Sequence, residues 1–143
     1  MLVVRELLRN DLLAISSGLL ELPEAYSITE LERHLSQGDL VFGLLKDSEV
    51  VGFALVRCVS DEAELLFIVV GASHRSSGLG TMLLESLLEE VGKRGIRTLF
   101  LEVSDTNRAA QRLYEKLGFE RIGLRERYYP DGTSALVLSK ALC

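Results

Sequence analysis

A mixed α/β domain is predicted by three features of this 143-residue chain. Apolar runs of strand length alternate with stretches whose apolar residues recur at helical spacing. Gly95 and Gly118 stand just past two of those helical stretches, where left-handed caps belong. After Val70 an apolar run gives way to a Gly-rich loop that opens an amphipathic helix.

Each element has its own justification. Residues 3–8 form a first strand, followed by a helix over 11–20 and a break at Pro23. Ser27 and Thr29 both offer N-caps, and Glu32, three after Thr29, completes a capping box for a helix to about Gln37. Leu40–Lys46 and residues 50–60 read as a hairpin across Asp47-Ser48-Glu49. Residues 64–70 are nearly all apolar, which predicts a central strand covered on both faces. In a helix over 79–94, Leu83, Leu84, Leu87, Leu88 and Val91 make the apolar stripe, opposite Glu85, Glu89, Glu90 and Lys93. Residues 98–103 are a strand, and 107–117 a helix with Ala109, Leu113 and Leu117 as its core stripe. Strands over 120–129 and 135–140, joined across Pro130-Asp131-Gly132, close the chain. Residues 1–143 read as one domain, without repeats or linkers.

Composition narrows the function classes. With 48% hydrophobic and 26% charged residues the chain is globular rather than disordered. Sixteen Lys and Arg against twenty-one Asp and Glu leave a net charge of −5, which disfavours nonspecific nucleic-acid binding and favours a basic partner. The N-terminal residues lack a signal peptide's apolar run, and no stretch approaches the ~20 apolar residues of a membrane span. Cys58 and Cys143 form no CxxC or His cluster, so no metal is expected. These features predict a soluble cytoplasmic protein that binds neither membrane nor nucleic acid, and they leave its oligomeric state open.

The loop Arg75-Ser76-Ser77-Gly78-Leu79-Gly80-Thr81 is an anion-binding candidate. Its small residues let successive backbone N–H groups face one point at a helix N-terminus, where unpaired donors and the helix dipole favour negative charge. It is not a P-loop, because Thr81-Met82 stands where Lys-Ser/Thr is needed. Nor is it a dinucleotide fingerprint, because Leu83 replaces the third small residue. The plain alternative is that Gly78 and Gly80 merely turn the chain into a helix.

Glu102 and Tyr114 are the side chains most able to do chemistry. Alternation along 98–103 puts Leu99, Leu101 and Val103 on one face and Phe100 with Glu102 on the other. A carboxylate in an apolar strand is costly unless solvated or partnered, and desolvation is how a carboxyl becomes a usable base near neutral pH. The plain alternative is a carboxylate emerging at the strand's end. Asn107, Ala110, Gln111 and Tyr114 share one face of the following helix, where Asn107 also suits the N-cap. A Tyr there equally suits ring packing in the core.

Together Arg75-x-x-Gly78-x-Gly80, Leu101 to Asn107 and Ala110 to Phe119 resemble, in order and spacing, the GNAT superfamily of acetyl-CoA-dependent N-acetyltransferases. The likeness spans residues 50–142. It implies the GNAT fold, a mixed, mostly antiparallel sheet of six to seven strands flanked by about four helices. It implies acetyl-CoA as donor, with the loop at residues 75–81 gripping its pyrophosphate. The backbone of Ile68, Val69 and Val70 would pair with the pantetheine arm, and Asn107 and Ala110 would contact it. Glu102 would serve as base through a water and Tyr114 as acid to the leaving thiolate, while strand N–H groups polarise the thioester carbonyl. Leu101-Glu102-Val103 with Arg127-Tyr128-Tyr129-Pro130 is similar to the RimI type, whose members acetylate the N-terminal alanine of ribosomal protein S18. That likeness implies a protein N-terminus as acceptor, with Tyr26, Tyr128 and Tyr129 near the peptide.

The departures fall on the peptide side. Thr133-Ser134 stands where the type carries an acidic pair, Ala25-Tyr26-Ser27 where Pro-Trp-Ser is common, and Ala72 at a position often held by Pro. An α-amine suits a single carboxylate base, since its pKa of about 7.7–8.0 leaves far more free base at pH 7 than a lysine's, about 10.4. A small amine or polyamine acceptor, or a non-catalytic acyl-CoA-binding module, is also compatible with these residues.

Overall fold

A computed structural model describes residues 1–17, 22–71 and 78–142. Its strands are β1 (Leu2–Leu7), β2 (Leu40–Lys46), β3 (Glu49–Val59), β4 (Glu62–Val70), β5 (Thr98–Ser104), β6 (Glu120–Arg125) and β7 (Ala135–Ala141). They pair in one sheet in the order β1-β2-β3-β4-β5-β7-β6, antiparallel throughout except between β4 and β5. This is the mixed, mostly antiparallel sheet that the resemblance implies. No helix among the described residues is long and apolar enough to cross a membrane.

Period-2 alternation divides the core into two layers. On one face α2 (Leu79–Lys93) and α3 (Arg108–Lys116) bury Leu83, Leu84, Leu87, Val91 and Tyr114 against Leu99, Leu101 and Val103. On the other, a 3-10 segment (Arg9–Ser17) and α1 (Ile28–Ser36) bury Leu12, Ile15 and Leu31 against Val41, Phe53 and Leu55. With these three α-helices, the 3-10 segment fills the place of the fourth expected helix.

Several local expectations need correction. The first helical stretch is 3-10 and starts at Arg9, while residues 18–21 lie outside the described residues. Ser27, not Thr29, caps α1: its Oγ accepts from Glu30 N at 3.4 Å, which places Thr29 inside the first turn and breaks the Thr29–Glu32 box. In α3, Ala109 is exposed, while Leu113 and Leu117 are half-buried and pack on the core beside Tyr114, which the helix turns fully inward. Leu88 of α2, half-buried, packs against the same core as the stripe predicts. β6 ends at Arg125 rather than Tyr129, since Arg127 takes a left-handed φ of 51° and leaves the extended conformation. Cys143 lies outside the described residues.

β4 is central but is not covered along its length. Residues 66–70 are half-buried, and a bulge explains why. The β3 register runs from Leu55↔Phe67 to Val56↔Leu65, so Leu66 is skipped. An extra residue reverses the alternation beyond it. Ala63 and Leu65 face α2 and α3, whereas Leu66 and Phe67 both pack toward α1. Pairing with β5 stops at the same point, Leu65↔Leu101, and past it the strands have no partner in each other.

Asp39, just after α1, is the buried charged residue of the described core, 5% exposed. It accepts two hydrogen bonds from Arg57, at 3.1 and 2.9 Å, and one from His34 at 2.8 Å. Burial pushes its carboxyl up, but the bonds from Arg57 and His34 outweigh this and hold it below the usual carboxylate range. Asp39→Asn is expected to cost about 2 kcal/mol at pH 7 by thermal melting. A depressed folded-state pKa stabilises fully above the unfolded value of about 4 and less as pH falls through the folded one, so parent and variant converge in acid.

Candidate active site

Where β4 and β5 part, a cleft of about 300 Å³ opens. Leu65 to Ile68 line one side and Leu101 to Ser104 the other, and Asn107, Ala110, Tyr114 and Tyr129 close it. The predicted alternation of β5 holds, with Leu99, Leu101 and Val103 buried toward the α2/α3 face. Glu102 therefore points to the opposite face, while Tyr114 reaches the cleft from α3. A base and an acid candidate line one gap through the sheet from opposite sides.

Glu102 is the member whose hydrogen bonding is incomplete. Its Oε2 is buried and has no hydrogen-bond partner among the described residues. Its Oε1 lies 3.6 Å from Nε of Arg125, whose side chain is 56% exposed and well solvated. The guanidinium of Arg125 also sits over the Tyr128 ring, 5.1 Å from its centroid. A buried acceptor without a donor marks a place where a proton, a water or a substrate N–H belongs.

Tyr114 is 7% exposed and packs edge-on against Phe119, with centroids 5.6 Å apart. Burial, and then the nearby Tyr129, push its phenol above the usual tyrosine range, so it keeps its proton through neutral and mildly alkaline pH. Tyr129 is pushed up likewise, by burial first and then by Glu102. Tyr128 and Tyr129 meet edge-on at 5.2 Å in the segment after β6. That segment is anchored where the acidic pair is missing. Thr133 N and Oγ1 donate to Asp131 Oδ1, and Ser134 Oγ accepts from Arg127 N.

Tyr26 reaches the cleft wall from the α1 side. Its hydroxyl donates to Leu66 O at 3.3 Å, and its ring stacks on Phe67 at 4.2 Å. Asn107 caps α3, its Oδ1 accepting from Ala110 N at 3.1 Å. Gly78 caps α2 in a left-handed conformation, φ 80°, that glycine alone adopts without strain. The first bond of α2 runs from Met82 N to Gly78 O, so the amides of Leu79, Gly80 and Thr81 have no acceptor within the helix. Arg75, Ser76 and Ser77, with Ala72 and His74, lie outside the described residues.

A second cleft, of about 420 Å³, went unseen in the sequence. Arg57, Glu62, Glu64, Phe100, Ile122 and Arg125 are among its lining residues, and Leu101 and Glu102 belong to both clefts. Five strands contribute to it, so no local motif announces it. Only the i, i+2 pair Glu62 and Glu64, two carboxylates on one strand face, hinted at it.

A model of the acetyltransferase (GNAT) family matches residues 5–119. The chain belongs to the GNAT family. The [ribosomal protein bS18]-alanine N-acetyltransferase of Escherichia coli K12 is 40% identical over 131 residues, covering 82% of this chain and 88% of that one. The Haemophilus influenzae protein of the same name is 34% identical over 105 residues, covering 73% and 71%. The crystal structure of the ribosomal-protein-S18-alanine N-acetyltransferase from E. coli matches with a TM-score of 0.88 at 34% identity, over 99% of this chain and 94% of that one. The NatC complex bound to Gag peptide and CoA shares the fold, with a TM-score of 0.83 at 21% identity over 99% of each chain.

This GNAT N-acetyltransferase fits the donor its family uses, acetyl-CoA. Past Leu65, β4 has no pairing with β5, which leaves that side of the strand to an amide-bearing arm, and the amides of Leu79, Gly80 and Thr81 have no acceptor within α2, which suits phosphate.

Proposed function

We propose that the chain acetylates the N-terminal α-amine of a protein, with a bS18-like N-terminus as first acceptor, by direct transfer from acetyl-CoA. The observation that carries this reading is that Glu102, with its unpartnered Oε2, lines both clefts. The donor occupies the gap between β4 and β5 and the acceptor comes from the opposite face, so the amine meets the thioester beside Glu102.

Bound acetyl-CoA supplies an activated acetyl thioester. Arg75, Ser76, Ser77, Gly78, Leu79, Gly80 and Thr81 hold its pyrophosphate, through the helix N-terminus and the Arg75 charge. Ile68, Val69 and Val70 bind its arm by backbone pairing, Asn107 adds its side-chain amide N–H, and Ala110 leaves room. Backbone N–H groups of β4 polarise the thioester carbonyl. Glu102 takes the proton of the attacking amine through a water, and Tyr114 Oη holds the proton for the departing sulfur. Tyr26, Tyr128 and Tyr129 contact the acceptor peptide, Tyr129 from the rim of the donor cleft, and Glu62 and Glu64, beside Arg57 and Arg125 in the second cleft, offer carboxylates to a cationic peptide.

Thiol release tests this reading. With acetyl-CoA, a peptide bearing the bS18 N-terminus should turn over, and the same peptide blocked at its α-amine should not. Turnover with polyamines in place of the peptide would replace the acceptor assignment. Thermal stabilisation by coenzyme A without any turnover would leave a binding module.

A further inference from the structure

A chain of contacts behind the cleft is not explained by the acid and base. Asp39 is a poor choice for stability alone, since a buried ion pair is often no better than a well-packed apolar group. What it does is fix a ring. His34 Nδ1 faces Asp39 Oδ2 at 2.8 Å, and because a carboxylate only accepts, Nδ1 carries the hydrogen. Arg57 holds the same carboxylate from β3 with two further bonds. The His34 ring then stacks on Tyr26, with centroids 6.4 Å apart and planes 22° apart. Tyr26 stacks in turn on Phe67 and donates to Leu66 O. Leu66 is the residue skipped in the β3–β4 register, where β4 turns away from β5.

We infer that His34, locked by Asp39 and Arg57, is a positioning residue that holds Tyr26 against the Leu66 bulge and so sets the cleft's backbone. The bulge decides how the peptide groups of Phe67 and Ile68 face the cleft. An error of a fraction of an ångström there misaligns a reacting carbonyl without removing any binding group. The kinetic consequence rests on the acetyl-transfer reading, whereas the structural consequence does not.

Tyr26→Phe deletes the bond to Leu66 O and keeps the ring. His34→Asn keeps an N–H for Asp39 and deletes the stacked ring. Each is expected to lower kcat about fivefold while the KM for acetyl-CoA stays within about twofold, and the double variant to be no slower than about fivefold because both act through one route. Amide hydrogen exchange, which needs no turnover, should quicken at residues 66–68 in both single variants and stay unchanged in β2. Multiplicative losses in the double variant would overturn the inference, as would an unchanged kcat or unchanged exchange at 66–68. If the parent acetylates nothing, the functional reading fails and exchange alone decides the positioning role. If His34→Asn does not fold, Tyr26→Phe carries both readouts.

Discussion

Glu102→Gln should lower kcat for peptide acetylation by about 100–1000-fold, with acetyl-CoA affinity unchanged. The substitution keeps the size of the side chain and one oxygen but removes its ability to take a proton. Glu102 lines the cleft from the face opposite α3, and glutamine fills the same volume there, so the donor keeps its seat. The loss should also depend on pH. An α-amine titrates at about 7.7–8.0, so the variant's rate should climb through that range as free base becomes available without help. The parent, with its base in place, should climb less. Steady-state kinetics at pH 6.5 to 9, with calorimetric binding of coenzyme A, would measure both. A variant as fast as the parent at neutral pH would remove Glu102 from proton transfer.

Tyr114→Phe should lower kcat by about a hundredfold and leave the melting temperature nearly unchanged. The ring stays packed against Phe119 and only the hydroxyl is lost. Burial pushes the phenol's pKa above the usual tyrosine range, so the acidic form prevails through neutral and mildly alkaline pH and the parent should show no decline there. A weaker demand on the acid, made by an acetyl donor whose leaving thiol is more acidic, should shrink the gap between variant and parent. A variant with full activity would reduce Tyr114 to a core residue.

The parts of this architecture legible in the sequence are those written in short-range patterns. Alternation over residues 98–103 placed Glu102 on the face it occupies, and the stripe through Leu83, Leu84, Leu87 and Val91 placed α2 against the sheet. The helical face shared by Asn107, Ala110 and Tyr114 returns as one wall of the cleft. Long-range pairing was not legible. The bulge at Leu66 exists only in the register between β3 and β4, and an unbroken apolar run conceals it. The same holds for Asp39, whose partners come from α1 and β3 and whose burial no local pattern signals. Tyr26 was legible through resemblance, but its bond to Leu66 was not. The cleft beside Glu62 and Glu64 needed the order β4-β5-β7-β6 before it could be seen.

One peptide separates α-amine acetylation from side-chain acetylation. It begins with the bS18 N-terminal residues, carries a free α-amine and one internal lysine, and is incubated with the protein and acetyl-CoA. Fragment mass spectrometry should place a single acetyl group on the α-amine. Acetyl found on the lysine, or none on the peptide while polyamines are acetylated, would rule out a protein N-terminus as the acceptor.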